Sequence, residues 1–128
     1  MLRPLRYRRL WLALGLSMLA VILVVCLLPP GSKPSAAGVD KVEHLFAWFV
    51  SAAWFGALIE RRVLVRLAVT LVALGIGIEF AQELMNIGRQ GDWRDVIANT
   101  IGVLCGVTLA ALSDESWLAR LEKWLPAT

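Results

Sequence analysis

The sequence predicts an all-α integral membrane protein, a bundle of four transmembrane helices followed by a short amphipathic helix. Three observations carry that prediction. Hydrophobic residues make up 59% of the 128 positions, and the mean hydropathy of +0.70 sets the chain apart from soluble domains, whose apolar share is nearer one half. Four apolar runs approach the ~20 residues that cross a ~30 Å hydrocarbon core. The basic residues lie beside those runs rather than in a domain of their own.

The first run, residues 10–28, stops at Pro29-Pro30. A cleaved signal peptide is the competing reading, with Ser35-Ala36-Ala37 as a small-residue site. The run exceeds the usual 7–15 residues of a signal core, so an uncleaved span is preferred. The second run, 42–59, carries Glu43 and His44 near its start. The third, 64–87, has Arg66 at one end and Glu79, Gln82 and Glu83 towards the other; the fourth is 96–112. Helix is expected for each, because backbone exposed to lipid must satisfy its hydrogen bonds internally. Within 114–125, Trp117, Leu118, Leu121, Trp124 and Leu125 recur at helical spacing opposite Glu115, Arg120, Glu122 and Lys123. That pattern predicts an amphipathic helix lying at the membrane surface. Residues 1–128 thus form one domain.

Arg3, Arg6, Arg8 and Arg9 precede the first span, and Arg61, Arg62 and Arg66 lie between the second and third. On the other side, Arg89 and Arg94 are offset by Asp92 and Asp95. The positive-inside rule then places both termini in the cytoplasm. The net charge of +3 is explained by topology, and nucleic acid is not an expected partner. Cys26 and Cys105 fall at different depths, about 14 Å apart at about 1.5 Å per residue. A disulfide needs Cα atoms about 6 Å apart, so none is expected between them.

Polar residues converge on the outer side of this arrangement. Asp40 and His44 are one helical turn apart, with Ala47 and Ser51 continuing their stripe. Glu79, Gln82, Glu83 and Asn86 share a face of the third span, and Asp95, Asn99, Gly102 and Gly106 a face of the fourth. The Gly102-x-x-x-Gly106 pair permits close helix approach. Counting along the helices puts His44 and Asn99 near the interface and Glu79 about 10–13 Å deeper. Ionisable groups cost roughly 2.5–3.5 kcal/mol each inside hydrocarbon, so those that persist there usually face a protein-lined cavity. Each residue also has a structural role open to it. Glu79, Gln82 and Asn99 could cross-link helices, His44 could sit among headgroups, and Asp95 is a good N-cap for the fourth helix.

Asp40-Lys41-x-x-His44, then Glu79-x-x-Gln82, Arg89, Asp92 and Asp95-x-x-x-Asn99-x-x-Gly102, resembles the VanZ-like family of small membrane proteins over roughly residues 38–108. The resemblance implies a multi-pass protein of the bacterial inner membrane, related to one associated with resistance to the glycopeptide teicoplanin. It supplies a context and no reaction.

The favoured function is an outward-facing pocket for a lipid-linked or peptidoglycan-related ligand, formed by Asp40, His44, Glu79, Gln82, Arg89, Asp92, Arg94, Asp95 and Asn99. The arginines would hold phosphate or carboxylate. An intramembrane hydrolase or transferase is the alternative, with His44 as general base and Glu79 or Asp95 as its carboxylate partner. A proton-coupled carrier built on Glu79 ranks third, because four spans without inverted repeats make a poor carrier unless the protein oligomerises. A divalent metal held by His44 and several carboxylates is conceivable, but no His-Glu-x-x-His spacing supports it, so neither a metal nor another cofactor is expected. Membrane lipids are the remaining expected partners.

Overall fold

The computed structural model describes residues 1–28, 39–85, 92–113 and 115–126, without the side chain of Asp40. Its helices are α1 (Arg8–Leu27), α2 (Val39–Leu58), α3 (Leu64–Met85), α4 (Trp93–Leu112) and α5 (Trp117–Glu122). A single 3-10 turn, Arg61–Val63, leads into α3. The four expected runs are therefore all helical, and three of them begin a few residues earlier than the apolar pattern indicates. α1, the segment Arg61–Met85 and α4 are long and apolar enough to cross a membrane. α2 matches α1 and α4 at 20 residues, but Asp40, Lys41, Glu43 and His44 occupy its first two turns. The residues that make it less apolar are those that build the candidate site.

α2 is the hub: it packs on every other helix, and most extensively on α4. Glycine makes that seam possible. A Cβ at Gly102 would collide with the backbone carbonyl of Leu45, and one at Gly106 would lie 2.6 Å from the Phe49 carbonyl oxygen. Only hydrogen fits at either position, so the two backbones run in near contact, as the Gly-x-x-x-Gly spacing predicts. Trp48, Ala52, Leu71 and Val103 fill the space beside the seam. Val21, Val24, Val65, Val69, Ile76 and Leu104 point outwards and form an apolar belt. Such a surface suits hydrocarbon and would be a liability in water.

The end of the bundle that carries both chain termini is tied together by polar contacts. The first residues pair with the loop after α2: Arg3 N–H donates to Leu58 O at 2.7 Å, and Glu60 N–H to Met1 O at 3.0 Å. α1 has no acidic residue in its first turn and no side-chain cap. Glu122 supplies the missing anion from the far end of the chain, accepting from the backbone N–H groups of Arg6 and Tyr7 at 2.8 Å each. The indole of Trp11 donates to the same carboxylate at 2.8 Å. Burial alone would raise the Glu122 pKa, but these donors outweigh it and hold the carboxyl below its ordinary value.

α5 is shorter than the amphipathic helix expected over 114–125. It is six residues long, and only Leu118 of its apolar side is fully buried, against Leu5, Trp11 and Phe55. Trp124 remains 87% exposed. The amphipathic pattern identifies the helix, but its partner is the N-terminal segment, whose order no hydropathy pattern signals. Cys26 is buried and Cys105 exposed, and no disulfide joins them.

Candidate functional site

Three helices bring one polar side chain each to a buried meeting point at the opposite end of the bundle. His44 comes from α2, Glu79 from α3 and Asn99 from α4, and they are 5%, 6% and 1% exposed. His44 Nδ1 lies 3.0 Å from Asn99 Oδ1, a contact in which the ring N–H donates to the amide oxygen. The same Nδ1 is 3.7 Å from Glu79 Oε1, too far for a hydrogen bond. Glu79 Oε2 accepts the Asp92 backbone N–H at 3.2 Å. Among the described residues, that leaves Glu79 Oε1 and Asn99 Nδ2 buried without a hydrogen-bond partner, together with Trp48 Nε1 one turn after His44. Buried polar atoms are nearly always satisfied, so three in one region of a small protein call for a functional explanation.

The deep placement expected for Glu79 is not what the structure shows. α3 runs on past the start of α4, so Glu79 stands level with Asp92 and His44 rather than well below them. Counting residues from the end of each apolar run gave the wrong depth because helices of one bundle do not begin and end in one plane.

Lys41 closes the mouth of the cluster, bridging Asp92 Oδ2 at 3.0 Å and Asp95 Oδ1 at 3.2 Å. The expected capping role falls to a different residue. Asp92 has extended backbone angles and is the N-cap of α4, its side chain accepting Arg94 N–H at 2.9 Å. Asp95 is instead buried in the first turn, where Lys41 holds it. The Arg94 backbone N–H, followed by the Lys41 ammonium, holds the Asp92 carboxyl below its ordinary pKa.

Two expected pocket residues make contacts outside the cluster. Gln82 donates to Cys26 O at 2.8 Å and so links α3 to α1. The Arg94 side chain is exposed, with its guanidinium 5.7 Å from the centre of the Trp93 ring. Arg89, Asn86 and the side chain of Asp40 lie outside the described residues. Ser51 is fully buried but donates to Ala47 O one turn back, so its hydroxyl is engaged by the helix backbone.

His44 also faces a second environment. A groove of about 170 Å³ lies between α1 and α2, lined by Val21, Ile22, Val25 and Cys26 on one side and Glu43, His44 and Ala47 on the other. It is mostly apolar, with His44 and Glu43 as its polar end. One imidazole therefore joins an apolar groove to a buried polar cluster.

Residues 39–114 match the VanZ/LLP1 family. The chain belongs to that family. Neither a curated protein nor a solved structure matches it. The VanZ/LLP1 segment runs from the first residue of α2 to just beyond α4. It contains every residue of the cluster, while α1 and α5 fall outside. Within this VanZ/LLP1 segment, Trp48 escapes a reading based on sequence alone, and Lys41, though part of the Asp40-Lys41-x-x-His44 motif, has no role assigned by it. The signal for Lys41 is its position three residues before His44, on the same side of the helix. For Trp48 it is the i+4 position on that same stripe.

Proposed function

We propose that this VanZ/LLP1 membrane protein binds a lipid-linked component of the bacterial envelope. The polar head of the ligand occupies the His44–Glu79–Asn99 cluster, and part of its hydrocarbon chain lies in the groove between α1 and α2. One observation carries the reading: partnerless buried polar atoms adjoin an apolar groove through a shared side chain, His44. An amphipathic ligand satisfies both at once, as pockets with apolar walls and a few placed polar groups do. The arginine distribution supports an orientation with both termini in the cytoplasm and the cluster at the outer face of the inner membrane. A link to glycopeptide response follows where the ligand is a cell-wall precursor.

The approach of His44 to Glu79 at 3.7 Å favours one further reading, hydrolysis or group transfer on the same ligand. A carboxylate facing an imidazole is the pairing that general-base chemistry uses. Native mass spectrometry of the tag-free protein with a polyprenyl phosphate tests both readings. The expected result is a bound lipid whose adduct falls about tenfold in Ala47→Leu, which fills the groove, and in His44→Gln. Unchanged adducts in both variants would refute the pocket. A lipid whose mass changes during incubation identifies turnover.

A further inference from the structure

We propose that His44, Glu79 and Asp95 together hold a first-row divalent metal ion such as Zn²⁺ or Mn²⁺. The proposal rests on reading this cluster as the functional site, and it names a ligand that no local sequence pattern announces.

The geometry comes from three helices. One ligand atom from each of the three side chains lies within 4.8 Å of the others, and all three residues are buried. Atoms bound to one ion at about 2.0–2.2 Å stand roughly 3–4.4 Å apart. Side-chain shifts of a few tenths of an ångström therefore bring the set onto a single centre. The His44 Nδ1 to Glu79 Oε1 distance of 3.7 Å is too long for a hydrogen bond but falls within that range. Asn99 Oδ1, 3.0 Å from the same nitrogen, stands where a fourth ligand would.

A second observation points to a missing partner. Glu79 is 94% buried by its 6% exposure, and among the described residues its Oε1 has no hydrogen-bond partner while it faces His44. An ion would satisfy that oxygen and displace the proton now shared between His44 and Asn99, as metals displace protons from their ligands. Lys41 holds Asp95 through Oδ1 and fixes the orientation of that carboxylate, as outer partners commonly fix metal ligands. One imidazole and two carboxylates suit Zn²⁺, Fe²⁺ or Mn²⁺ better than a soft metal. With only His44, Glu79 and Asp95 bound, one coordination position stays open to a phosphate or carboxylate on the lipid-linked ligand, in the place that Asn99 Oδ1 otherwise fills.

Local spacing gives no hint of this because the ligands are separated by 35 and 16 residues, from 44 to 79 and from 79 to 95. The test is metal content and equilibrium binding of Zn²⁺ and Mn²⁺ to the tag-free protein in detergent. The proposal expects about one ion per chain, with affinity at least ~10-fold lower in His44→Gln and Asp95→Asn. Glu115→Gln, at the other end of the molecule, should bind like the parent. Co²⁺ loading of the parent should give visible d–d absorption, which requires no variant to fold. Absence of stoichiometric binding, or equal binding in His44→Gln and Asp95→Asn, overturns the proposal. Polyprenyl phosphate binding measured on the same samples separates the two readings, because a lipid adduct in a protein that takes no metal leaves the pocket standing and removes the ion alone.

Discussion

The two ends of this bundle each hold a carboxylate among aromatic and basic groups, and they treat it in opposite ways. At the end that carries the termini, Glu122 accepts three hydrogen bonds, from Arg6 N, Tyr7 N and Trp11 Nε1, and it fastens α5 to the start of α1. At the other end Glu79 is more deeply placed, and among the described residues it accepts one backbone N–H and keeps an oxygen without a hydrogen-bond partner. Satisfied polar networks stabilise and specify a fold, whereas partly satisfied ones are retained where function needs them. One end is built for stability and the other for binding. The VanZ/LLP1 segment encloses the binding end's cluster and leaves Glu122 outside.

Both ends depend on the α2–α4 seam, so the largest effect should come from opening it. Gly102→Val places a branched side chain where even a Cβ meets the Leu45 carbonyl and lies 3.0 Å from Phe49 N. Overpacking usually costs about 1–3 kcal/mol, and a collision with backbone should exceed that range. The expected outcome is loss of the folded protein in detergent, measured by size exclusion and thermal unfolding, together with loss of ligand binding. A variant that folds and binds normally would show that the ends are independent of the seam.

Glu122→Ala should damage only the terminal end. Three hydrogen bonds at about 1 kcal/mol each give a loss of roughly 2–3 kcal/mol, with ligand binding preserved in the protein that remains folded. The pH dependence has a definite sign. The folded-state pKa of Glu122 is lowered, so its contribution is fully present above the unfolded value, about 4.3. It is lost as pH falls through the lower folded value. The stability gap between parent and variant should be constant from about pH 7 to pH 5 and narrow below about pH 4. A gap that persists in acid would assign the loss to packing rather than to the carboxylate.

The fold was largely legible because membrane spans and glycine spacing are local signals. Apolar runs gave the four long helices, and Gly102-x-x-x-Gly106 gave a close helix approach, though not α2 as the partner of α4. The site was legible as a set of residues and not as an arrangement. His44, Glu79 and Asn99 meet as expected, but relative helix height is a tertiary property, and it moved Glu79 beside the α4 N-cap. Because α4 begins at Trp93, the cap falls to Asp92 and Asp95 lies in the first turn, buried against Lys41, which the sequence offered as part of the Asp40-Lys41-x-x-His44 motif without a role. Gln82 shares the polar face of α3 yet turns to Cys26, because α1 lies within its reach. The N-terminal segment carries no periodicity, so its docking onto Ile59 and Glu122 could not be anticipated.

Glu79→Gln should have the smallest effect on stability and is the sharpest test of the contrast. The amide has the same shape, its oxygen can still accept the Asp92 N–H, and its NH₂ can donate to neighbouring acceptors. It also removes the cost of keeping a charge-bearing group out of water. Thermal unfolding should therefore match the parent to within about 0.5 kcal/mol, or show slight stabilisation. Binding of polyprenyl phosphate should nonetheless fall about tenfold, because the oxygen that lacks a partner in the free protein is the one offered to the ligand. A stability loss comparable to that of Glu122→Ala, with binding intact, would make Glu79 a cross-link between helices and the two ends alike in kind.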